Sequence, residues 1–267
     1  MGKIKAADGE RLPARSKVSK DADEHWVVMS NALTRAGHGL TLSEKRIVVL
    51  GISKLDRRSS PPTGVSPVAK VTAAEYAQQF GVDLRTAYEA LQDGARALYN
   101  RSISFYQAAP KRNGKAGKVT HTMRWVGRAT YHDGEGWVEL CFWHELVPHL
   151  IGLQKWFTQY QLHQVRALRS AYSWRLLELL ERFREKKGEG WAEYDIEDFA
   201  IAMDATPKQR EDFAKLRTKI IEPAVRELTE KDGWLIEWEP IKAGRKVKAV
   251  RFKFMRKNLA DQYLLEI

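Results

Sequence analysis

The feature that most constrains this chain is a layout that occurs twice: two helix-forming stretches split by a tight turn, then a hairpin with a basic tip. In the first occurrence, VTAAEYAQQFGVDLRTAYEALQDGARALYN (71–100), the spacing predicts a short helix from Thr72 to Phe80, a turn at Gly81-Val82 and a second helix from Asp83 to about Leu98. Gly81 supplies the left-handed backbone such a turn needs, and Asp83 is an N-cap residue. Strand-like runs follow at 101–107 and 119–131 around the loop AAPKRNGKAGK, and a third run at 136–143 is expected to close the small sheet. The second occurrence has a short helix over Asp195–Met203, a longer one over Lys208–Lys231, strands at 234–239 and 247–254, and a PIKAGRK tip at 240–246. Val250, Phe252 and Phe254 alternate with Arg251 and Lys253, as a strand with one buried face requires. A helix-turn-helix followed by such a hairpin is a winged helix. The expectation is an α+β, mostly helical chain with two tandem winged-helix domains.

Between the two copies, Gln154 to Lys187 carries Leu162, Val165, Leu168, Tyr172, Leu176, Leu179, Leu180 and Phe183 at steps of three and four, which predicts a long joining helix with a break near Ser170–Ser173. Ahead of the first copy, order is expected from Trp26. A helix capped by Thr41 or Ser43 buries Ile47, Val48, Leu50 and Ile52, and a proline-rich loop covers 57–70. The resulting scheme is a flexible basic tail (1–25, with Lys3, Lys5, Arg11, Arg15, Lys17 and Lys20), a first domain (26–153), a linker helix with the second domain (154–258) and a short C-terminal tail (259–267).

Composition narrows the class. Lys and Arg number 45 against 34 Asp and Glu, a net charge of +11 that favours a polyanionic partner. Cys141 is the one cysteine; it cannot form an internal disulfide and, in the run WVELCFW, reads as a small buried hydrophobe. No stretch has the length and apolarity of a membrane span or secretory signal, so a cytoplasmic location is expected.

A helix lying in the major groove needs long donors on one exposed stripe. On a wheel drawn at a constant helical step, Phe213, Leu216, Ile220, Ala224 and Leu228, with Ile221 nearby, face the core, and Lys208, Glu211, Lys215, Thr218, Lys219, Glu222 and Arg226 face out. Lys208, Arg210, Lys215, Lys219 and Glu222 are the favoured base-edge or phosphate contacts, and Arg217 falls on the apolar side. Lys242, Arg245, Lys246 and Lys248 crowd the second hairpin tip, placed to meet phosphates or a minor groove. In the first copy Leu84, Tyr88, Leu91, Ala95 and Leu98 form the inner stripe, while Arg85, Thr86, Glu89, Asp93 and Arg96 face out. Two acids offset two arginines there, so the loop cations Lys111, Arg112, Lys115 and Lys118 are the better phosphate contacts of that domain.

Catalytic readings fail on spacing. In HELVPH, His144 and His149 are five apart, where two ligands on one helix face need four, and Pro148 disfavours a helix. GKAGKV (114–119) lacks the spacing and the Ser/Thr of a phosphate loop. The expectation is a binding protein without catalytic residues, metal or cofactor.

Two long segments then carry a family resemblance. FWHELVPHLIGLQKWFTQYQLHQVRALRSAYSWRLLELLERF (Phe142–Phe183) and KLRTKIIEPAVRELTEKDGWLIEWEPIKAGRKVKAVRF (Lys215–Phe252) resemble the RepE/RepA-type plasmid replication initiators, the Rep_3 family. The opening VVMSNALTRAGHGLTLSEKRIVVLGIS is also similar. The resemblance implies two winged-helix domains, the second docking on repeated origin sequences called iterons. It implies monomers that bind iterons and open the origin, dimers that bind an operator inverted repeat and repress their own gene, a dimer surface on the first domain, and contacts with the host initiator and replicative helicase. It places the recognition helix on Lys208–Glu230, where Thr218 interrupts the basic segment, and an arginine near Arg217 facing DNA, opposite to the wheel. A transcriptional repressor without origin function is the alternative.

Overall fold

Capping chemistry explains where most helices begin. The computed structural model describes residues 25–56, 64–112, 115–185 and 188–256. Strand β1 (Trp26–Ser30) runs into α1 (Asn31–Arg35), whose first turn is capped by the Ser30 hydroxyl. Helix α2 (Leu42–Ser53) starts at a reciprocal capping box: Thr41 accepts from the Glu44 amide, and the Glu44 carboxylate accepts from the Thr41 amide. Strand β2 (Val68–Thr72) passes directly into α3 (Ala73–Phe80) through a second capping box, Thr72 with Glu75. Gly81, with φ of 59°, ends α3 in the left-handed region, and Asp83 caps α4 (Leu84–Leu98). Four strands follow, β3 (Ser102–Arg112), β4 (Lys115–Arg124), β5 (Val126–His132) and β6 (Trp137–Phe142), then a short α5 (Val147–Leu150) and β7 (Phe157–Gln161).

Helix α6 (Ala171–Glu181) opens the second unit, capped by Ser170. Strand β8 (Glu189–Asp195) leads into α7 (Ile196–Ala202), capped by the Asp195 carboxylate. Two short helices, α8 (Pro207–Arg210) and α9 (Phe213–Leu216), precede α10 (Glu222–Asp232) and the hairpin of β9 (Trp234–Ala243) and β10 (Lys246–Arg256).

The repeat is sharper in three dimensions than in sequence. The order α2-β2-α3-α4-β5-β6 is matched by α6-β8-α7-(α9, α10)-β9-β10. Both three-stranded sheets have the same antiparallel order, first strand, last strand, middle strand: β2-β6-β5 and β8-β10-β9. The first copy therefore departs from expectation. The β3–β4 hairpin is not its wing, and β6 does not join it. Among the described residues β3 and β4 form a separate two-stranded ribbon inserted after α4, and the true counterpart of the β9–β10 wing is β5–β6.

Four further expectations are corrected. The run 119–131 is two strands, broken at Trp125, whose ring is fully buried and whose Nε1 donates to the His38 carbonyl at 2.9 Å. Of 57–70, residues 57–63 lie outside the described residues, and the last residues are not loop but enter β2, which pairs with β6. The long joining helix shrinks to the eleven residues of α6. Ahead of it, β7 pairs antiparallel with β1, and Leu162 and Val165 owe their spacing to a 3₁₀ turn. Alternating burial of Thr158 and Tyr160 is the strand signal that the three-and-four spacing masked. Cys141 is half-buried rather than fully buried.

The core is continuous through both units. Helix α6 is buried on every side, Trp174, Leu176, Leu177, Leu179 and Leu180 included, and packs against α1 and β7 on one flank and α10 and β8 on the other. Each such leucine contributes about 1.5–3 kcal/mol by leaving water. In the first unit α4 crosses α2 so closely that a side chain at Gly94 would collide with Ile47. The α4 stripe that packs is Ala87, Leu91, Gly94, Ala95 and Leu98. Leu84 and Tyr88, expected inside, are exposed; Tyr88 lies over Gly136 of the β5–β6 turn instead.

Candidate nucleic-acid interface

The expected recognition helix of the second unit, Lys208–Lys231, is not one helix. Thr206 and Gln209 form a capping box that starts α8, the chain breaks at Glu211-Asp212, and the Asp212 carboxylate caps α9. Its bonds to Lys215 and the Ala214 amide hold the Asp212 carboxyl below the usual carboxylate range. Between α9 and α10, Arg217–Ile221 form a π turn, with the Glu222 amide donating to the Arg217 carbonyl. The cause is Pro223: it has no amide to give the carbonyl four residues back, and its ring crowds that carbonyl, so the helix opens by one residue.

The π turn settles the position of Arg217. A wheel with a constant step assumes equal rotation per residue, and the extra residue in this turn puts the two flanking segments out of phase. Leu216, Ile220, Ile221, Ala224 and Leu228 are buried as expected, with Phe213 packed against them, but Arg217 is exposed, not inward. Its guanidinium lies 3.5 Å from the Glu222 carboxylate. Lys208, Arg210, Lys215, Thr218, Lys219 and Arg226 are exposed too, and Glu222 is half-exposed. Several are already engaged. Arg210 Nε donates to the Ala205 carbonyl at 2.7 Å, Lys215 pairs with Asp212 at 3.3 Å, and the Thr218 hydroxyl donates back to the Ala214 carbonyl at 2.8 Å. Among the described residues Lys208, Lys219 and Arg226 have no ion-pair partner, so they are the cations freest to meet phosphate or a base edge.

The second wing carries its charge at the tip. The β9–β10 turn is Gly244-Arg245, with Gly244 at φ of 63°. Pairing slips between Val247 and Ala249, which makes Lys248 the extra residue of a β-bulge; bulges bend a strand and re-aim a side chain. Lys242, Arg245, Lys246 and Lys248 are all exposed there. Nearer the sheet, Arg251 is held between Glu193 at 2.7 Å and Glu239 at 3.1 Å, so that row is neutralised.

The first unit is different. Arg85, Thr86, Glu89, Asp93 and Arg96 are exposed on α4, as expected. Arg85 pairs with Glu89 at 3.1 Å, and the Thr86 hydroxyl donates to Asp83 at 2.6 Å. The tip of the structural wing, His132-Asp133-Gly134-Glu135-Gly136, is acidic, and Glu135 accepts from Trp137 Nε1 at 2.6 Å. The cations Lys111, Arg112, Lys115 and Lys118 sit by backbone at the far end of the β3–β4 ribbon; their side chains lie outside the described residues, as do most of the N-terminal tail (1–24) and all of the C-terminal tail.

His144 lies in a 3₁₀ turn against Trp143, while the His149 ring, on α5, stacks on Phe105 and hydrogen-bonds Ser30 at 2.7 Å. Among the described residues no group of three or more His, Cys, Asp and Glu is arranged to hold a metal ion, and no helix is long and apolar enough to cross a membrane. A cluster that the wheels missed lines a cleft of about 410 Å³ between α3 and α10: His163, Arg166, Arg169 and Lys231, with Asp232 beside them. Its members come from segments far apart in sequence, and the three upstream ones sat in the stretch expected to be a plain joining helix.

Residues 26–181 match the family model described as "Initiator Replication protein, WH1", and residues 195–254 match "Initiator Rep protein, WH2". The chain belongs to the Rep3 family of replication initiators. The fold of this Rep3 initiator is similar to that of the Pi initiator protein, solved in complex with iteron DNA, with a TM-score of 0.71 and 18% identity over 89% of this chain and 100% of that one. It is 26% identical over 227 residues to an uncharacterised 27.6 kDa protein of Escherichia coli, covering 82% of this chain and 91% of that protein. It is also 31% identical to the WH1 domain of MSBI1.176, a replication protein isolated from a multiple sclerosis patient, covering 41% of this chain and 79% of that domain with a TM-score of 0.31. The winged-helix tandem and the plasmid-initiator family thus stand as the sequence indicated.

Proposed function

We propose that this Rep3 initiator binds double-stranded origin DNA sequence-specifically, in the cytoplasm, and that its second unit does most of the reading. The observation that carries the proposal is the coincidence, on one unit, of a proline-opened helix presenting Lys219 and Arg226, the short α8 before it presenting Lys208, and a wing tip presenting Lys242, Arg245, Lys246 and Lys248. A helix with long donors at the groove and a cationic hairpin beside it divide the work into base reading and phosphate anchoring. The relative solved with iteron DNA supports iterons as the target class. The protein acts through binding energy, without a catalytic step, cofactor or metal. As a monomer it opens the origin and brings in the host initiator and replicative helicase; as a dimer it occupies an operator inverted repeat and represses its own gene.

Fluorescence anisotropy with origin-repeat duplexes and random duplexes at physiological salt tests the reading. The expected preference is roughly 10³-fold or more. Equal affinity for both would refute it. A plasmid that lacks only this gene and still replicates would favour repression without origin function.

A further inference from the structure

The two units meet at a buried polar seam that the DNA-facing surfaces do not use. Its centre is Arg175 on α6, 2% exposed. The guanidinium donates from Nε to the Ala202 carbonyl at 2.7 Å and from Nη2 to the Thr34 and Ala36 carbonyls at 2.9 and 2.7 Å. Nη1 reaches Glu178 at 3.1 Å and the His38 ring. One rigid fork thus joins the C-terminal end of α1, in the first unit, to the end of α7, in the second. Beside it, Asp204 Oδ1 accepts from the backbone amides of His38 at 2.8 Å and Gly39 at 3.2 Å, two successive donors forming a small anion-binding concavity.

Asp204 is also out of its comfortable conformation. It has φ of 53°, the left-handed region that glycine favours, and it occupies the turn after α7. The corresponding turn after α3 has Gly81 at φ of 59°. The first copy thus solves this turn with a glycine, and the second keeps an aspartate whose carboxylate is spent on the other unit. Aspartate is among the few residues besides glycine that visit this region, and here its carboxylate also binds across the seam.

We propose that Asp204 and Arg175 are positioning residues that hold the two units at one separation and rotation, and so determine the spacing between the two DNA segments that one molecule reads. The proposal rests on the DNA-binding reading above. Two modules engage one duplex together only at spacings their connection permits. Each inserted base pair also rotates one site about the helix axis, a full turn taking about 10–10.5 base pairs. A seam fixed by a five-donor fork and a two-amide clamp therefore gives sharp spacing, and a loosened seam gives broad spacing.

The test uses the full-length protein to enrich binders from a randomised duplex pool, read for two sub-motifs and the separation between them. Wild type is expected to give one separation. Asp204→Gly keeps the left-handed turn but removes the carboxylate, and is expected to give the same sub-motifs over several separations. On a duplex lengthened by about two base pairs between sub-motifs, wild type should lose at least about tenfold in affinity and Asp204→Gly less than about threefold. Asp204→Asn, which keeps an accepting oxygen and tolerates the backbone, should restore the wild-type profile. Arg175→Lys, which loses the fork, should broaden it; thermal melts confirm that each variant is folded. A sharp single spacing in folded Asp204→Gly and Arg175→Lys, or freely variable spacing in wild type, would overturn the proposal. Enrichment of no motif by wild type would instead remove the DNA-reading function on which it rests.

Discussion

The two winged helices share an element order and a sheet order, yet they present opposite charge at equivalent places. The β9–β10 wing ends in Lys242, Arg245, Lys246 and Lys248; the β5–β6 wing ends in Asp133 and Glu135. Helix α4 is regular, and its Arg85 is tied to Glu89, whereas the corresponding stretch of the second unit is opened by Pro223 and leaves Lys208, Lys219 and Arg226 without ion-pair partners among the described residues. The difference teaches that the fold alone does not assign the work: a hairpin tip and one proline give the two units different surfaces, and on the proposed reading the second does most of the base recognition.

The comparison breaks most readily under combined substitution. Replacing Lys208, Lys219 and Arg226 together with alanine should weaken specific binding by at least about 10²-fold, given roughly 1–3 kcal/mol for each base contact. Replacing Arg85 and Arg96 together should cost less than about tenfold; anisotropy titrations that reverse this order would end the asymmetry. Next in size, Lys219→Ala alone should cost about 1–3 kcal/mol on the preferred duplex. Lys215→Ala should cost less, because Asp212 already holds that ammonium. Lys246→Ala should weaken all duplexes alike and lower the salt slope by about 0.9, as loss of one phosphate contact requires. Charge addition sharpens the contrast: Asp133→Lys should raise affinity for random duplex a few-fold.

A distinct effect, on stability rather than on binding, is expected at His38. His38 is fully buried, and burial, then Arg175, then Lys45 hold its pKa well below the usual 6.5. The Arg175 guanidinium, which can only donate, lies 3.1 Å from His38 Nδ1 and 2.9 Å from Nε2, so a second positive charge, on the ring, is disfavoured there. As pH falls below 6.5 the unfolded chain takes up a proton that the folded chain refuses, so stability is lost on acidification. Denaturant titrations from pH 7 to 5 should show wild type losing more stability than His38→Gln; parallel curves would contradict the assignment.

Much of this was legible in the sequence. The caps at Thr41 and Asp83, the turn at Gly81 and the alternation in β10 are local signals, and local chemistry decides them. What escaped was set by distant partners. Residues 157–161 become a strand because β1 lies alongside, and the identity of the first wing depends on which strand β6 pairs with, which no single stretch encodes. Arg217 was misplaced because the wheel took no account of the missing amide of Pro223, although the proline was in plain view. The Asp204–His38 contact spans 166 residues and carries no motif.

The central claim is that most of the sequence reading resides in the second unit. The most direct measurement is the ratio of affinities for the enriched duplex and a random duplex, compared between Lys219→Ala and Arg85→Ala at one salt concentration. A fall of roughly tenfold or more in that ratio for Lys219→Ala, with little change for Arg85→Ala, is the predicted result. An unchanged ratio for Lys219→Ala with a collapsed ratio for Arg85→Ala would place the reading in the first unit and contradict the account.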